Sequence, residues 1–354
     1  MQERIEKFNQ MLMDIDRKRI PVGLYHGEMG LCIYFYEVAR LTSEKKYSDF
    51  ADRLLDDVIN SVDENSAIEI ENGLTGICMG INYLLEKGYT KGNPNHVLKN
   101  FDDKIMKTLL FNLIYEKNMT LPAIHILTGK LIYLAVRLQN IKLSKDERWI
   151  MQNLIIENIN KIESCEIEKF TEPVFFSLAD YFTPLYLRLL QQISQLHFYD
   201  YKIEKIVEGL SAPLLYRYPL NKANRLLLCS AMNDVAATFS GIKGWKEHIE
   251  VLQHRLDIPS VVHEFRNKNI AFFNGLCGLY YLLRKTGMGN EYNDLFLSKI
   301  TRSDIWDQAL ASDDALQSSI SLYGGLPGVI LTYLHILHPN DPVVFFDHVI
   351  GQYV

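Results

Sequence analysis

The sequence is poor in cysteine and has no cysteine pair with metal-binding spacing. Its 354 residues include five cysteines, and none of them forms a C-x-x-C motif. This scarcity argues against a disulfide framework and against a zinc ribbon. We therefore expect reduced thiols, most of them buried as small apolar side chains. The five positions are Cys32, Cys78, Cys165, Cys229 and Cys277.

The sequence also lacks a membrane span, a secretory signal and a strong excess of one charge. No apolar run approaches the roughly 18 uncharged residues needed to cross a bilayer. The N-terminus, MQERIEKFNQ, is charged from its third residue and has no apolar core. The net charge of −6 gives no electrostatic reason to expect binding to nucleic acid or to an anionic membrane. We expect a soluble, cytoplasmic protein with neither as a partner.

What the sequence does contain is a repeated turn, in which two glycines three residues apart introduce an apolar segment. The four copies align without gaps as HGEMGLCIYFY, NGLTGICMGINYLL, NGLCGLYYLL and GGLPGVILTYL. Their first glycines are Gly27, Gly73, Gly275 and Gly325, so the near pairs are 46 and 50 residues apart. Such a period predicts one helix pair per repeat.

The long interval between the second and third copies predicts three further repeats. Gly73 and Gly275 are 202 residues apart, which corresponds to four such periods and hence to three turns without the glycines. We place these turns near the segments that start at His125, Phe175 and Asn221. The sequence thus predicts about seven helix pairs in a single domain, residues 1–354.

Each repeat pairs two kinds of helix. The segment from Glu44 has an apolar stripe opposite charged residues, which is typical of an outer helix with one face in water. That stripe consists of Tyr47, Phe50, Leu54 and Val58. The segments after the second glycines are apolar on every side, which is typical of an inner helix packed all round. Because the last repeat is not polar like a capping repeat, we predict an all-α fold, a closed α/α toroid.

The chain resembles the lanthionine synthetase C-like family, the lanthionine cyclases, over nearly its whole length. The resemblance lies in the helix pairs, in which each inner helix follows a Gly-x-x-Gly turn. The resemblance implies an α/α toroid with a zinc ion in its central cavity. In that family the zinc activates a peptide cysteine thiol for addition to a dehydrated serine or threonine. Coordination supports this reaction because it lowers the pKa of the thiol far enough to deprotonate it at neutral pH.

The family's zinc-ligand positions carry other residues in this sequence. In that family the ligands lie in a Trp-Cys-Tyr-Gly turn and in the Cys-His-Gly turn of the penultimate repeat. Here the penultimate turn has Phe273 at the cysteine position and Asn274 at the histidine position, and neither is a zinc ligand. The preceding repeat has no Trp-Cys-Tyr-Gly, and Cys229 falls inside an apolar helix. The catalytic histidine of the family has no counterpart in FFSLADYFTPL. We therefore predict that no zinc or other metal is bound.

The polar residues of the turns are candidates for lining a ligand-binding cavity. These candidates are His26, Glu28, Asn72, Asp180, Asn274 and Tyr323. The ring of His26 is a possible base or ligand, or it hydrogen-bonds the backbone of its turn. Asn72 and Asn274 are expected to cap the inner helices that follow them. A displaced zinc site that combines Cys277 with His26 and His335 is not indicated by any spacing.

Two functions remain open, and the sequence does not decide whether the chain is an enzyme. One is a lanthionine-cyclase-like protein without metal chemistry, which binds a precursor peptide or a maturation enzyme of a peptide-modification pathway. The 20 Tyr and 17 Phe residues of the chain supply aromatic surface that could bind a peptide. The alternative is an α/α-toroid enzyme that acts on carbohydrate or peptide through other cavity residues. Glu172 and Asp180 are its candidate acids, and glycoside hydrolysis would need two facing carboxylates.

Overall fold

The computed structural model describes residues 1–63, 66–116, 119–140, 142–165, 172–239, 241–288, 290–340 and 345. Within these residues the chain is all-helical, without a β-strand. The predicted all-α class is therefore confirmed. Four of the cysteines are buried, Cys165 is partly exposed, and none of the five is in a disulfide.

The α-helices are α1 (Gln2–Asp14), α2 (Glu28–Thr42), α3 (Lys45–Ser61), α4 (Leu74–Glu86), α5 (Pro94–Val97), α6 (Lys99–Tyr115), α7 (Leu121–Leu138), α8 (Lys145–Glu163), α9 (Phe182–Gln195), α10 (Asp200–Leu215), α11 (Lys222–Thr238), α12 (Trp245–Gln253), α13 (Ile258–Glu264), α14 (Leu276–Lys285), α15 (Asn293–Thr301), α16 (Ile305–Ala309), α17 (Asp313–Gln317) and α18 (Leu326–Leu337). Short 3₁₀ helices span Arg17–Arg19 and Asn290–Tyr292.

The longer helices alternate between partly exposed and largely buried ones. In the described part of the chain the partly exposed helices are α1, α3, α6, α8, α10, α12 and α15, and each precedes one of the buried helices α2, α4, α7, α9, α11, α14 and α18. This is the number of pairs that the repeat spacing predicts. Helices α7, α9 and α11 lie in the three segments where turns without glycines were expected.

The pair α2 and α3 illustrates why the two kinds of helix differ. All residues of α2 from Glu28 to Val38 are buried, as expected for a segment that is apolar on every side. In α3 the buried positions include the whole predicted stripe of Tyr47, Phe50, Leu54 and Val58, and α3 packs against α2. The stripe prediction is confirmed, because helical periodicity places these side chains on one face.

Residue contacts divide the chain into two compact units. Among the described residues, the first lies within the ranges 1–91 and 257–345, and the second within the range 92–256. In the first unit the buried helices pack in the order α4, α2, α18, α14, and in the second in the order α7, α9, α11. The first and last buried helices of the chain are therefore neighbours, as a closed ring requires of its ends. Closure of the whole ring and a single domain over residues 1–354 stay predictions.

Helix α7 is the one helix among the described residues that is long and apolar enough to cross a membrane. It carries Lys130 and Arg137, and 67% of it is buried within the fold. The guanidinium of Arg137 is paired at 2.9 Å with the carboxylate of Asp102 in α6. Burial of this kind is typical of a core helix of its unit.

Candidate functional site

The four glycine turns lie side by side in the first unit, where backbone hydrogen bonds join each turn to the next. Tyr25 N donates to Glu71 O over 2.8 Å, and Phe273 N donates to Tyr323 O over 3.0 Å. Leu322 N donates to Tyr25 O over 3.1 Å. Each of the four first glycines is the N-cap of the buried helix that follows it. Their spatial order is Gly73, Gly27, Gly325 and Gly275.

Backbone carbonyls, and not side chains, cap the four helices that follow these turns. The first helical N–H donates in each case to the carbonyl seven residues earlier, over 2.8 to 3.0 Å. The bonds run from Glu28 to Pro21, from Leu74 to Ala67, from Leu276 to Asn269 and from Leu326 to Ser319. The expected capping by Asn72 and Asn274 is therefore wrong. The N-cap residue is the glycine, without a side-chain bond, because the folded-back loop already supplies the acceptor.

Three aromatic rings from one register, two residues before the first glycine, stack on each other. The centroid of the Tyr323 ring is 3.9 Å from that of Tyr25 and 4.1 Å from that of Phe273, with only 12° between the planes in the second pair. The ring centroids of Tyr25 and Phe273 are 5.0 Å apart. All three side chains are buried, and burial raises the pKa of the Tyr25 hydroxyl far above its usual value. We call these three residues the ring cluster.

The residues at the implied zinc-ligand positions do not fit a zinc ion. Phe273 has no donor atom, and its ring is covered by the other two members of the ring cluster. Asn274 exposes its side chain at the tip of the turn. Cys229 lies seven residues into α11, about 10 Å from the start of that helix, and burial raises the pKa of its thiol to about 11. No step of the chemistry is therefore assigned to a metal.

The residues that a displaced zinc site would use have separate surroundings. Burial raises the pKa of the Cys277 thiol to about 12, which disfavours the thiolate that zinc binds. His335 lies ten residues beyond Gly325, about 15 Å along α18. Burial, with the nearby charge of Arg284, lowers the pKa of His335 to about 3. No three His, Cys, Asp or Glu side chains of the described residues cluster around a possible metal position. The absence of zinc stays a prediction.

His26 is exposed at the tip of its turn and is bound to the neighbouring turn. Its Nδ1 atom lies 2.8 Å from Ser321 Oγ, and this hydroxyl donates to Tyr25 O over 2.8 Å. Of the two readings of His26, the contact agrees with the structural one, although the partner is a side chain and not backbone. The ring helps to join the first turn of the chain to the last.

Glu28 is buried, and its charged neighbours differ from those of His26. Burial raises the pKa of its carboxyl group to about 7, the charge of Arg17 opposes this shift, and Asp57 adds to it. Arg17 and Asp57 form an ion pair with each other. The carboxyl group of Glu28 therefore titrates near neutral pH. Its charged neighbours are Arg17 and Asp57, whereas His26 contacts Ser321.

The other turn candidates divide between exposed tips and the buried cluster. Asn72 is half-buried, and its Oδ1 atom has no hydrogen-bond partner among the described residues. Asn274 is exposed, whereas Tyr323 is the central ring of the ring cluster. Whether these side chains line a ligand-binding cavity stays a prediction.

In the second unit, a histidine that was not among the candidates lies beside Asp180. His125, in the first turns of α7, is half-buried, and its ring hydrogen-bonds the backbone of Ala179. Burial lowers the pKa of His125 against the opposing charge of Asp180, which favours the neutral form of the ring. The carboxylate of Asp180 accepts a hydrogen bond from Ser177 Oγ over 2.7 Å. A neutral imidazole beside a carboxylate is suited to accepting a proton.

A signal for His125 was present in the sequence. It stands four residues before Gly129, as His26 stands four residues before Gly30. The third turn lacks the first glycine, so the Gly-x-x-Gly pattern does not single out His125.

Two backbone segments of the second unit lie together and expose large apolar side chains. The amide of Asn224 donates to Phe175 O over 3.2 Å, and Leu220 N donates to the carboxylate of Glu172 over 3.3 Å. Val174, Phe175 and Leu220 are 82%, 79% and 87% exposed. We call these three side chains the apolar rim. Neighbouring exposed apolar side chains are typical of a binding surface.

Residues 19–179 match the family model described as lanthionine synthetase C-like protein. The match includes the turns of Gly27 and Gly73 and the whole of α7. Over these residues the resemblance predicted from the glycine turns is confirmed. No curated protein matches the sequence.

Proposed function

We propose that this chain, lanthionine synthetase C-like over residues 19–179, binds a peptide without zinc. The observation that carries the proposal is the ring cluster. Where the resemblance implies a cysteine ligand, Phe273 lies against Tyr323 and Tyr25 in a buried stack. A metal-activated thiol addition has no support from such residues. The fold is retained and the metal chemistry is lost.

The apolar rim supports a peptide as the ligand. Its three side chains are large and exposed, while Asn224 and Glu172 hold the backbones that carry them. A rigid backbone beneath exposed apolar groups binds an extended chain at low entropic cost, since little has to be ordered on binding. Next to it, the guanidinium of Arg225 lies 4.1 Å from the ring of Tyr218. The bound peptide is a precursor peptide, or a segment of an enzyme that matures one in the cytoplasm.

A displayed library of random peptides tests this proposal. The wild-type chain should enrich peptides with apolar side chains, and added chelator should leave their affinity unchanged. The double substitution Phe175→Ser and Leu220→Ser should weaken binding of the selected peptides about tenfold or more, because a few buried anchors dominate such interfaces. Fluorescence anisotropy titrations give the dissociation constants.

The matched control is Tyr201→Ser in α10, because Tyr201 is also an apolar side chain in the second unit and is 74% exposed. Its affinity for the peptides should equal that of the wild type. Failure of the wild type to enrich any peptide would refute peptide binding. Equal peptide affinities of the Phe175→Ser and Leu220→Ser double variant and the wild type would show that the peptide binds at another surface.

A second candidate function is an enzyme that uses residues other than metal ligands. The observation in its favour is the neutral ring of His125 beside Asp180, with Phe182 at 6.2 Å from the imidazole. Such a pair could deprotonate a peptide thiol as a general base. For a carbohydrate substrate the support is weaker, because Glu172 and Asp180 each already accept a hydrogen bond from another group of the protein. Turnover that His125→Gln abolishes would favour the enzyme over the binding protein.

A further inference from the structure

Helices α6 and α8 of the second unit enclose an apolar groove on the surface. Its volume is about 530 Å³. The apolar side chains that line it are Met106, Leu110, Leu113, Trp149, Ile150 and Leu154. This α6–α8 groove is separate from the glycine turns and from the apolar rim in sequence and in the residues that form it.

A ridge of exposed side chains runs along the C-terminal part of α6. Phe111 and Tyr115 are 58% and 64% exposed, and their ring centroids are 4.5 Å apart. Ile114 is also exposed. Across the groove, Trp149 of α8 is 66% exposed. Groove and ridge therefore form one continuous apolar face.

The area of this face is close to what a stable interface needs. Its exposed apolar side chains present on the order of 600 Å², given 150–250 Å² for a whole aromatic side chain. This reaches the upper end of the largest apolar patches found on monomers, about 300–600 Å². It also approaches the roughly 800 Å² that each partner contributes to a standard interface. The apolar area of this face is therefore larger than expected for a helix pair that only faces solvent.

The shape and charge of the face point to a second copy of this chain. A two-fold axis pairs a patch with itself, so the patch must carry both a groove and something to fill it. Here the ridge of Phe111 and Tyr115 adjoins the groove. The charged residues that line the groove are of both signs, with Lys107 beside Asp103 and Glu157. These mixed charges can pair with those of a second copy of the chain. A partner with a strong charge of one sign would be repelled by some of them.

We propose that the α6–α8 face joins two copies of this chain in an isologous dimer. Sedimentation velocity of the full chain tests it, over concentrations that bracket about 1 μM, within the affinity range of interfaces of this size. The expected species has twice the chain mass of 41.0 kDa. In the double variant Phe111→Glu and Trp149→Glu, the dissociation constant of the dimer should rise about tenfold or more. Buried aromatic side chains dominate the affinity of such interfaces.

The control variant is Tyr201→Glu, which places one negative charge at an exposed aromatic position of α10. It should dimerise like the wild type. Circular dichroism should be the same for all variants, since each substituted side chain is exposed. A wild type that stays monomeric over the whole range overturns the proposal and leaves the face to another protein. A double variant that dimerises like the wild type overturns it as well.

Discussion

Replacing Gly325 by alanine is expected to lower the free energy of unfolding by about 3 kcal/mol or more. The reason is the close approach of backbone, since φ is −111° and any residue can adopt it. A Cβ atom at Gly325 would lie 2.6 Å from Ser319 C and 2.7 Å from Ser321 O, and closer still to Ser319 O. Ser319 O is the carbonyl that caps α18, so it cannot move away without losing that bond.

The neighbouring residue supplies the matched control. A Cβ atom at Gly324 would meet nothing closer than Ser321 Oγ at 3.6 Å. Gly324→Ala should therefore change the free energy of unfolding by less than about 1 kcal/mol. Urea denaturation followed by circular dichroism measures both variants. Equal unfolding midpoints for the two would mean that the capping loop is not packed against the N-cap glycine.

Replacing Tyr323 by alanine is expected to destabilise the chain by about 3–5 kcal/mol, the usual range for a buried aromatic side chain. Tyr323 is almost completely buried, and it is the ring that contacts both other members of the ring cluster. Removing it opens a cavity between Tyr25 and Phe273 and takes away two ring contacts, each worth about 0.5–1.5 kcal/mol. Thermal and urea unfolding give the change.

Tyr323→Phe is the conservative control, because it keeps the ring and removes only the hydroxyl. Its effect should stay below about 1 kcal/mol, because the packed ring is retained. Near-ultraviolet circular dichroism should keep the aromatic signal in Tyr323→Phe and lose part of it in Tyr323→Ala. A Tyr323→Ala variant as stable as the wild type would show that the three rings are not packed together in solution.

Much of the fold was predictable from the sequence because the glycine turns mark the helix starts directly. The helices α2, α4, α14 and α18 each begin one residue after the predicted first glycine. The stripe of α3 followed from helical periodicity alone. The three turns without glycine were located as segments, and there side chains do part of the capping. Thr120 caps α7, and Asn221 caps α11.

The parts of the site that were not predictable depend on contacts between distant residues. Asparagine before a helix suggests a side-chain cap, but the acceptor at Leu74 is the carbonyl of Ala67, and a loop path cannot be read from composition. Tyr25, Phe273 and Tyr323 share a register in the sequence. Their stacking also requires the three turns to approach within ring-contact distance, which only the tertiary structure specifies. The same holds for His125 and Asp180, which lie in different repeats.

The zinc content of the purified chain tests whether the metal site of the resembled family has been lost. Catalytic zinc normally takes three protein ligands and a water molecule, with cysteine sulfur and histidine nitrogen preferred. The chain offers Phe273 and Asn274 at two of the implied positions, and Phe273 is packed into the ring cluster. Elemental analysis of protein purified without chelators and without a histidine tag should therefore find well under one zinc per chain. One zinc per chain, lost when Cys277 or His26 is substituted, would contradict the loss of the zinc site and show that it has moved.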